Sequence, residues 1–286
     1  MRIGIIGAGR VGCSIGKYLR IKGQELAGYY DVDSGAAKEA AEFTQTDVFG
    51  TIQELLDSSD IIFITTPDTY IISVWEQIKT LSLKNQIICH CSGALSSDSF
   101  SKDENMTVSC CSIHPMLPFS NRFSSYEQLN NAFFTVEGDK KASDVLCELF
   151  RSFGNEVCII DKSKKAKYHA AASILSNQVI AVLDMGYSLL TECGFTREEA
   201  LRATSQLVTK NIENVIANDC SAALTGPIER GDAQTIKKHL DCLSRDDAKL
   251  YKMLAERLVR IAKNKNANKD YSDIENLLNE DELRGK

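Results

Sequence analysis

An imidazole, a hydroxyl and an amide recur at every fourth residue of the stretch YHAAASILSN, residues 168–177. They belong to His169, Ser173 and Asn177, and the residues between them are mostly alanine or aliphatic. On an α-helix, positions i, i+4 and i+8 lie within about 80° of one another, so the spacing predicts one face that presents all three side chains. Burying such groups without partners costs on the order of 1–3 kcal/mol each. A bound polar substrate would offset that cost.

Such a face suits the reduction of a keto carbon. Addition of hydride leaves an alkoxide that needs a proton, and histidine can supply one near neutral pH because its unperturbed pKa is about 6.5. We therefore expect His169 to donate the proton while Ser173 and Asn177 orient the substrate. The alternative is a helix–helix contact with a hydrogen-bonded core histidine and an amide that caps a turn. The spacing alone supports both hypotheses equally.

A glycine-rich loop at the start of the chain predicts a dinucleotide site. The strand RIGIIG leads into the loop, and the helix CSIGKYLR follows it. In such a loop the first glycine makes the turn, the second lets the backbone approach a pyrophosphate, and the third lets the helix pack on the sheet. The pyrophosphate would lie on the N–H groups at the helix start. The expected cofactor-binding residues of the loop are Gly7, Ala8, Gly9, Arg10, Val11 and Gly12.

An acidic residue after the second predicted strand bears on the choice between NAD and NADP. Asp31 can accept hydrogen bonds from the adenosine ribose and repel a 2′-phosphate, which favours NAD. Arg10 and Lys38 could accommodate that phosphate, so NADP stays open. The alternative interpretation makes Asp31 the cap of the following helix.

Other strand ends carry residues that suit ligands, because ligands bind beyond the carboxyl ends of strands in open α/β sheets. We expect Thr66, Pro67 and Asp68 in the stretch TTPD to contact the cofactor. In HCSGALSSD, Ser92 and Gly93 are candidates for an anion nest that binds a substrate carboxylate. The site hypothesis for the polar helix gains from this Rossmann half in front of it.

Three further residues are candidates for the substrate side of the site. His114 in IHPMLPF either contacts the substrate or holds its own loop. Arg230 offers a bidentate fork for a carboxylate, although a surface pair with Asp232 beside a helix cap explains it equally well. Thr225 in LTGP lies in a break between helices, which either faces the site or is a simple turn.

The chain changes its rhythm near residue 161. Up to that point about eight β-rich runs alternate with amphipathic stretches, which predicts a doubly wound, mostly parallel sheet in a Rossmann domain over residues 1–161. Residues 162–286 show helical periodicity over 164–192, 196–218 and 232–262. They predict an all-α domain for the substrate and for dimerisation. Its tail, from about residue 263, is polar, and we expect it to be loose with at most one short helix.

Composition excludes several classes of function. The formal charge is −6 and lysine and arginine are not clustered, so we expect no nucleic-acid partner. We expect no apolar run to be long enough to span a bilayer, and the glycine motif leaves no room for a signal peptide. We therefore expect a cytoplasmic protein without a membrane partner. Ten cysteines lie mostly in apolar runs without a Cys-x-x-Cys pair, which favours buried reduced thiols over a metal site.

Five motifs in this order give the chain a family resemblance: GAGRVG, HCSGALSSD, SIHPMLPF, YHAAASILSN and LTGPIERGDAQT. Over about residues 1–260 the chain resembles a group that pairs an N-terminal Rossmann domain with a helical C-terminal domain of unknown function. The group is part of the superfamily of 6-phosphogluconate, β-hydroxyacid, ketopantoate and pyrroline-5-carboxylate reductases or dehydrogenases. Some members are regarded as an alternative form of ketopantoate reductase in the pantothenate pathway.

The resemblance implies roles for the polar helix. In β-hydroxyacid and ketopantoate enzymes this helix carries a catalytic lysine with an asparagine four residues later, and ketopantoate reductases have a second asparagine four beyond that. His169 stands at the lysine position, Ser173 stands at the first asparagine position, and Asn177 matches the second. An imidazole would thus replace an ammonium as the proton donor. The superfamily commonly forms dimers, and the wide apolar faces of the C-terminal helices also favour a homodimer.

These observations predict an NAD(P)-dependent oxidoreductase that reduces a small 2-keto acid or oxidises a β-hydroxy acid, with ketopantoate (2-dehydropantoate) favoured by resemblance. The first alternative is an imine reductase of the pyrroline-5-carboxylate type, because imine reduction tolerates the loss of the lysine. The second alternative is a dinucleotide-binding sensor without turnover. Substitution of His169 by alanine distinguishes the enzyme from the sensor, because loss of activity with intact cofactor affinity indicates a proton donor, which a sensor does not need.

Overall fold

The computed structural model describes residues 1–103 and 105–279, and the chain divides into two compact units, Met1–Asn177 and Gln178–Lys286. The sequence-based division at residue 161 follows the last strand, whereas the compact units divide within the helical stretch predicted over 164–192. The first turns of that stretch belong with the sheet because Lys165 reaches down to Ser112 in a strand, with 2.7 Å between Nζ and Oγ. Each unit is described below by itself.

The first unit is built on an eight-stranded sheet, and all eight predicted strands form. The sheet order is β3-β2-β1-β4-β5-β6-β7-β8, and of its pairs β6–β7 is antiparallel while the others are parallel. The strands are β1 Arg2–Ile6, β2 Glu25–Tyr30, β3 Asp47–Val48, β4 Ile61–Ile64, β5 Ile87–His90, β6 Ser109–Pro115, β7 Phe134–Gly138 and β8 Val157–Ile159. The predicted α/β Rossmann class is confirmed.

Helices cover both faces of this sheet, which explains why central strands such as β4 (IIFI) are apolar on both sides. One apolar core packs α1, α2 and α5 against the sheet, and a second core packs α3 and α4 against the opposite face. The helices of the first unit are α1 Arg10–Ile21, α2 Ser34–Thr44, α3 Ile52–Asp57, α4 Asp68–Ile78, α5 Lys140–Ser152 and α6 Lys165–Ser173.

The strand order reverses at β1, because the chain adds β2 and β3 on one side of it and β4, β5 and β6 on the other. Ligands of open α/β sheets bind at the carboxyl ends of the strands where the order reverses. The glycine loop follows β1, TTPD follows β4, Gly93 follows β5 and His114 ends β6. The topology thus places the motifs selected from the sequence at the ends of four neighbouring strands.

The helix that follows the sheet contains an irregular turn. Residues Ile174–Gln178 form a π-helical turn between α6 and the next helix. Asn177 lies within this turn, and an i→i+5 turn advances by a smaller angle per residue than an α-helical turn, so the α-helical spacing does not describe its position. A face that Asn177 shares with His169 and Ser173 stays a prediction. His169 and Ser173 both lie in regular α-helix, so the expected one-turn spacing applies to this pair. Turns of this type occur frequently at functional sites.

The second unit is helical throughout its described part. It comprises α7 Val179–Glu192, α8 Arg197–Ala223, α9 Pro227–Arg230, α10 Ala233–Cys242, α11 Arg245–Lys265 and α12 Ser272–Asn279. The periodic stretch predicted over 232–262 is two helices rather than one, because Ser244 caps α11 and accepts a hydrogen bond from the Asp247 N–H. α8 is kinked at Asp219, where φ is +70°.

The tail is more ordered than we expected from its polar composition. α11 continues to Lys265, and α12 buries Ile274 and Leu278 in the core of the second unit, together with Tyr271 before it. The expectation of a loose tail is therefore wrong up to residue 279, because a few apolar residues at helical spacing suffice to dock a short helix. Residues 280–286 lie outside the described residues.

The consecutive helices α7 and α8 of the second unit bury few of their residues. α7 contains no buried residue and α8 buries only Ala200 and Ala223, while Leu207 and Ile216 on α8 are 71% and 80% exposed. The helical stretch Lys162–Glu192 is also long and apolar enough to cross a membrane, by length and composition alone. The expectation that no segment meets this criterion is wrong, because average hydropathy tolerates polar residues that interrupt an apolar run.

A buried hydrogen-bond network fixes α1, and with it the glycine loop, to the rest of the sheet domain. Tyr18 of α1 donates to Asn155 Oδ1 over 2.6 Å. The amide of Asn155 donates to the carbonyl oxygens of Leu129 and Ala132, which lie 2.8 and 3.1 Å away. One side chain therefore satisfies three buried groups from two other segments.

We expect Asn155→Ala to lower the free energy of unfolding by about 2–3 kcal/mol, since it leaves buried donors and acceptors without partners. Denaturant titration of the full chain measures the change. Asn85→Ala is the matched control, because Asn85 is exposed and its loss should change stability by no more than about 0.5 kcal/mol. Equal stability of the two variants would show that the network contributes nothing to the fold.

Candidate active site

The glycine loop has an open side and a crowded side. Gly7 has φ of +103°, a conformation that side-chain-bearing residues rarely adopt. A Cβ on Gly12 would stand 2.0 Å from the Gly7 carbonyl oxygen, whereas a Cβ on Gly9 would meet no atom within 4 Å. The loop therefore packs closely against the start of α1 while its middle is open to a ligand.

The start of α1 suits an anion. Its N-cap is Gly9, no side chain caps the free N–H groups, and the first turn holds no acidic residue. Helix N-termini of this kind attract phosphate groups because the N–H groups and the helix dipole both favour negative charge. The Thr66 hydroxyl at the end of β4 is buried without a hydrogen-bond partner among the described residues. These features fit a dinucleotide in this place.

Asp31 holds the glycine loop to the second strand. Its Oδ2 accepts a hydrogen bond from the Ala8 N–H over 2.6 Å, and its Oδ1 accepts one from the Asp33 N–H over 2.9 Å. The alternative interpretation of Asp31 as a helix cap is wrong, because Asp33 caps α2 through the N–H groups of Gly35 and Ala36. An ionised carboxylate offers about four acceptor sites, so Asp31 retains capacity for ribose hydroxyls.

Arg122 is a residue of the site region that the sequence analysis missed. Its Nε donates to the Ala8 carbonyl oxygen over 2.8 Å, its Nη2 donates to the Ala36 carbonyl oxygen over 2.7 Å, and its Nη1 pairs with Glu39. Arg10 donates to the Phe119 carbonyl oxygen from the other side, over 3.3 Å. The segment after β6 thus braces the glycine loop, and no local pattern in the sequence indicates a contact over this separation.

Two imidazole rings meet at Gly93. The position that a Cβ of Gly93 would occupy lies 2.7 Å from His169 Cδ2 and 2.8 Å from His114 Nε2. Only a residue without a side chain allows both rings to approach the backbone so closely. The structure therefore brings together three predicted site residues from three separate elements, β6, α6 and the loop after β5. The His169 side chain remains exposed.

Tyr168 supports one of these rings. Its hydroxyl lies 2.7 Å from His114 Nδ1, and the two rings meet edge to face with centroids 5.7 Å apart. Burial, together with the nearby Lys165 and His169, lowers the pKa of His114 to about 4. His114 is consequently neutral at physiological pH. The sequence analysis did not select Tyr168, although it precedes His169 directly.

Lys165 is a buried cation near His114. It is 1% exposed, its Nζ donates to Ser112 Oγ, and Glu137 Oε1 lies 4.0 Å away. Burial lowers the pKa of Lys165, while the equally buried Glu137 carboxylate opposes this shift. The sequence analysis missed this residue, yet the four-residue spacing of the polar helix, extended one step back from His169, leads directly to it.

The predicted anion nest at Ser92 is not formed. The Ser92 hydroxyl donates to Asp68 Oδ2 over 2.7 Å and accepts hydrogen bonds from the N–H groups of Ala94 and Leu95. The Ser92 N–H donates to His90 Nδ1. Ser92 therefore has no donor left for a substrate carboxylate, and a carboxylate already stands beside it. The prediction for Ser92 is wrong for this reason, and Asp68, predicted to contact the cofactor, is bound to it.

His90 has a structural role. Its ring is fully buried against Phe100, and burial lowers its pKa to about 4. Its neighbours Cys89 and Cys91 lie in the core on the opposite face of the sheet, as strand alternation requires. No group of three potential metal ligands occurs in residues 1–103 and 105–279.

The contacts described above involve none of the remaining predicted residues. Ser173 is half-buried, and exposed Asn177 accepts a hydrogen bond from the Ser176 hydroxyl. In the second unit, Thr225 and Arg230 are exposed, and their substrate roles stay predictions. Asp232 caps α10 by accepting hydrogen bonds from the Thr235 N–H and hydroxyl, which is the helix cap that we considered as part of the alternative for Arg230.

Comparison with known proteins gives two domain matches. Residues 1–89 match an oxidoreductase family with an NAD-binding Rossmann fold, and residues 132–258 match the domain of unknown function DUF2520. None of the curated proteins matches the chain.

Solved structures with a similar fold include a Thermotoga maritima protein, at 24% identity and a TM-score of 0.72, which covers 92% of this chain and 99% of that one. A pyrroline-5-carboxylate reductase of Streptococcus pyogenes has 18% identity and a TM-score of 0.63, with 92% and 98% covered. An NADH-preferring ketol-acid reductoisomerase from an uncultured archaeon has 16% identity and a TM-score of 0.65, with 100% and 90% covered. At these identities the similarity shows the fold alone.

Residues 1–89 and 132–258 thus match an NAD-binding Rossmann domain of an oxidoreductase family and DUF2520, which agrees with the resemblance to a group that pairs these two kinds of domain, while the ketopantoate reductase subtype stays a prediction.

Proposed function

We propose that the protein is an NAD(P)H-dependent reductase of a small 2-keto acid. The observation that carries this proposal is the pair of imidazoles, His114 and His169, at Gly93. They stand beyond β5 and β6, next to the strands β1 and β4 whose ends form the dinucleotide site. Ketopantoate is the substrate that we favour, on the family resemblance of the sequence, and the pathway would then be pantothenate biosynthesis.

The residues of the first unit would hold the cofactor in a defined way. The N–H groups between Gly7 and Gly12 would bind the pyrophosphate, Asp31 would bind the adenosine ribose, and the Thr66 hydroxyl would gain its missing partner. Pro67 and Asp68 would line the path beside them. When bound, the reduced nicotinamide supplies a hydride to the substrate carbon.

His169 completes the reaction by donating a proton to the substrate oxygen. Reduction of the carbonyl places negative charge on that oxygen, and the new O–H bond forms as an N–H bond of the imidazolium breaks. The exposed side of His169 lets the ring recover its proton from solvent. Ser173 and Asn177 are expected to orient the substrate, and Arg230 and Thr225 are candidates for its carboxylate end.

We expect His169→Gln to lower kcat for 2-keto acid reduction by about 10²–10⁴-fold, because it removes the proton donor while keeping a polar side chain of similar size. The dissociation constant for NADH should change less than twofold, since His169 touches none of the cofactor residues. Steady-state kinetics and cofactor fluorescence titration measure the two quantities. Retention of full activity would contradict the assignment of His169.

The alternative enzyme class is a reductase of cyclic imines. Imine reduction needs no strong proton donor, so an enzyme of this class would keep its activity in the His169→Gln variant. A sensor would bind the cofactor and oxidise it with neither type of substrate. Assays of the wild type and of this variant with both types of substrate therefore separate the three hypotheses.

We propose that NADH is preferred over NADPH. The carboxylate of Asp31 lies at the end of β2, where it would meet a 2′-phosphate with like charge. Two cations weaken this preference for NADH. Arg10 belongs to the glycine loop and donates to the Phe119 carbonyl oxygen, and Arg122 donates to the Ala8 carbonyl oxygen of the loop.

We expect Asp31→Asn to shift the ratio of kcat/KM for NADPH over NADH by roughly tenfold toward NADPH, the effect of about 1.4 kcal/mol. The substitution removes the charge but keeps an acceptor for the Ala8 N–H. Asp33→Asn is the matched control, since asparagine also caps helices and the α2 cap is preserved. An unchanged ratio in the Asp31 variant would refute the role of this carboxylate.

We propose that the protein forms a homodimer through α7 and α8. None of the apolar side chains of α7 is buried and those of α8 are mostly exposed. The 27 residues of α8 correspond to about 40 Å of helix, which is enough for an extensive interface. A second copy of the chain would cover such faces by two-fold symmetry. The ten free thiols suit a reducing compartment, which supports a cytoplasmic location.

We expect Leu207→Glu to convert the dimer to a monomer, because a charge would be buried in the centre of the apolar face. Size-exclusion chromatography with light scattering gives the mass. Asn268→Glu, at an exposed position outside α7 and α8, is the control and should stay dimeric. A monomeric wild-type chain at micromolar concentration would rule out the interface.

A further inference from the structure

We propose that His114 is a second hydrogen-bond donor to the substrate oxygen, with its tautomer fixed by Tyr168, so that the site selects an oxo group over an iminium group. This inference rests on the proposed function and narrows its substrate class. His114 would be a catalytic residue, whereas Tyr168 acts through His114 and is a positioning residue.

The hydrogen bond between Tyr168 and His114 has a preferred direction. A phenol is a stronger acid than the N–H of a neutral imidazole, so the Tyr168 hydroxyl donates to Nδ1 over their 2.7 Å separation. Burial also raises the pKa of Tyr168, which keeps its proton on the oxygen. A neutral imidazole that accepts at Nδ1 carries its proton on Nε2.

Partial burial and a nearby cation keep His114 neutral. The ring is partly buried on β6, with Tyr168 on one edge and the backbone of Gly93 at the other. The buried ammonium of Lys165 hydrogen-bonds to Ser112, which lies two residues before His114 and on the same side of the strand. A second positive charge on His114 would meet this cation, so the neutral form is favoured.

The rings of His114 and His169 both approach the space beside Gly93. His114 Nε2 lies 2.8 Å from the site that a Cβ of Gly93 would occupy, and His169 Cδ2 lies 2.7 Å from the same site. Cδ2 is bonded to Nε2 in the imidazole ring. The space left by the missing side chain of Gly93 is therefore bordered by an edge of each ring that carries a nitrogen.

The substrate class follows from the number of acceptor sites. A carbonyl oxygen has two lone pairs and can accept from His114 and His169 together. A protonated imine nitrogen has no lone pair, so it cannot accept from either ring. Hydrogen bonds to an oxygen strengthen as negative charge develops on it, which assists the reduction of a ketone and does nothing for an iminium.

The second unit contains a matched pair for comparison. His239 Nδ1 lies 2.8 Å from the Tyr251 hydroxyl, with ring centroids 5.8 Å apart and nearly perpendicular. This pair has the same geometry as His114 and Tyr168 but contains no residue that we assign to the site. Loss of the hydrogen bond in this pair therefore serves as a control, because it should affect the fold and not the reaction.

The first experiment is two-bond ¹H–¹⁵N correlation NMR of the histidine rings in the full chain, with no cofactor or substrate. The chain has four histidines, so single substitutions assign the spectrum. We expect His114 to be neutral with its proton on Nε2 in the wild type, and to become a mixture of tautomers in Tyr168→Phe. A proton on Nδ1 in the wild type would overturn the inference and leave the proposed function standing.

The second experiment measures kcat/KM for a 2-keto acid, ketopantoate, and for a cyclic imine, pyrroline-5-carboxylate. We expect the wild type to prefer the keto acid and His114→Leu to lower its kcat/KM by about 10²-fold, through kcat. His114→Gln should recover part of the loss, because its amide keeps an N–H near the position of Nε2. Tyr168→Phe should lower kcat and leave KM within twofold, while Tyr251→Phe changes neither.

The outcomes separate the two proposals. Preference for the imine, or equal kcat/KM of His114→Leu and the wild type on the keto acid, overturns the two-donor inference and leaves a reductase. Absence of turnover on both substrates and on other small 2-keto acids overturns the proposed function and, with it, the selection of an oxo group. NADH titration of each variant distinguishes these results from a misfolded protein.

Discussion

The close approach of two imidazole rings to the backbone of Gly93 is the constraint on which the candidate site depends. Any side chain at residue 93 would collide with His114 or His169. The approach also requires that α6 be held down on the sheet, which the hydrogen bond from Lys165 to Ser112 achieves. The sheet, the loop after β5 and the helix that follows β8 must therefore all be in register for the site to exist.

The buried pair of Lys165 and Glu137 has a meaning beyond stability. A buried ion pair is seldom more stable than an apolar replacement, because both charges lose their water. Burial is the main cause of the low pKa of His90 and of His114, and the nearby Lys165 ammonium adds to the shift of both. Glu137 is itself held by the N–H and hydroxyl of Ser97. The Lys165 ammonium of this pair thus contributes to keeping the His90 and His114 rings neutral.

Much of the fold could be predicted from the sequence because its signals are local. The strands, the glycine loop and the placement of Gly93 and His114 at one sheet edge follow from periodicity and from the rule for strand ends. The approach of His169 to them depends on how α6 packs, which the sequence does not show. Arg122 and Tyr168 were missed because their partners depend on tertiary contacts. The π-helical turn that contains Asn177 and the hydroxyl of Ser92, already bound to Asp68, also depend on packing that no spacing reveals.

The most direct test of the account is the oxidation of NADH and NADPH by the purified full chain, with ketopantoate present and absent. The account predicts oxidation that depends on the keto acid, with one reduced nicotinamide consumed for each molecule of hydroxy acid formed. Tight binding of both cofactors without oxidation by ketopantoate or other small 2-keto acids would contradict it. The pair of histidines at Gly93 would then serve a purpose other than carbonyl reduction.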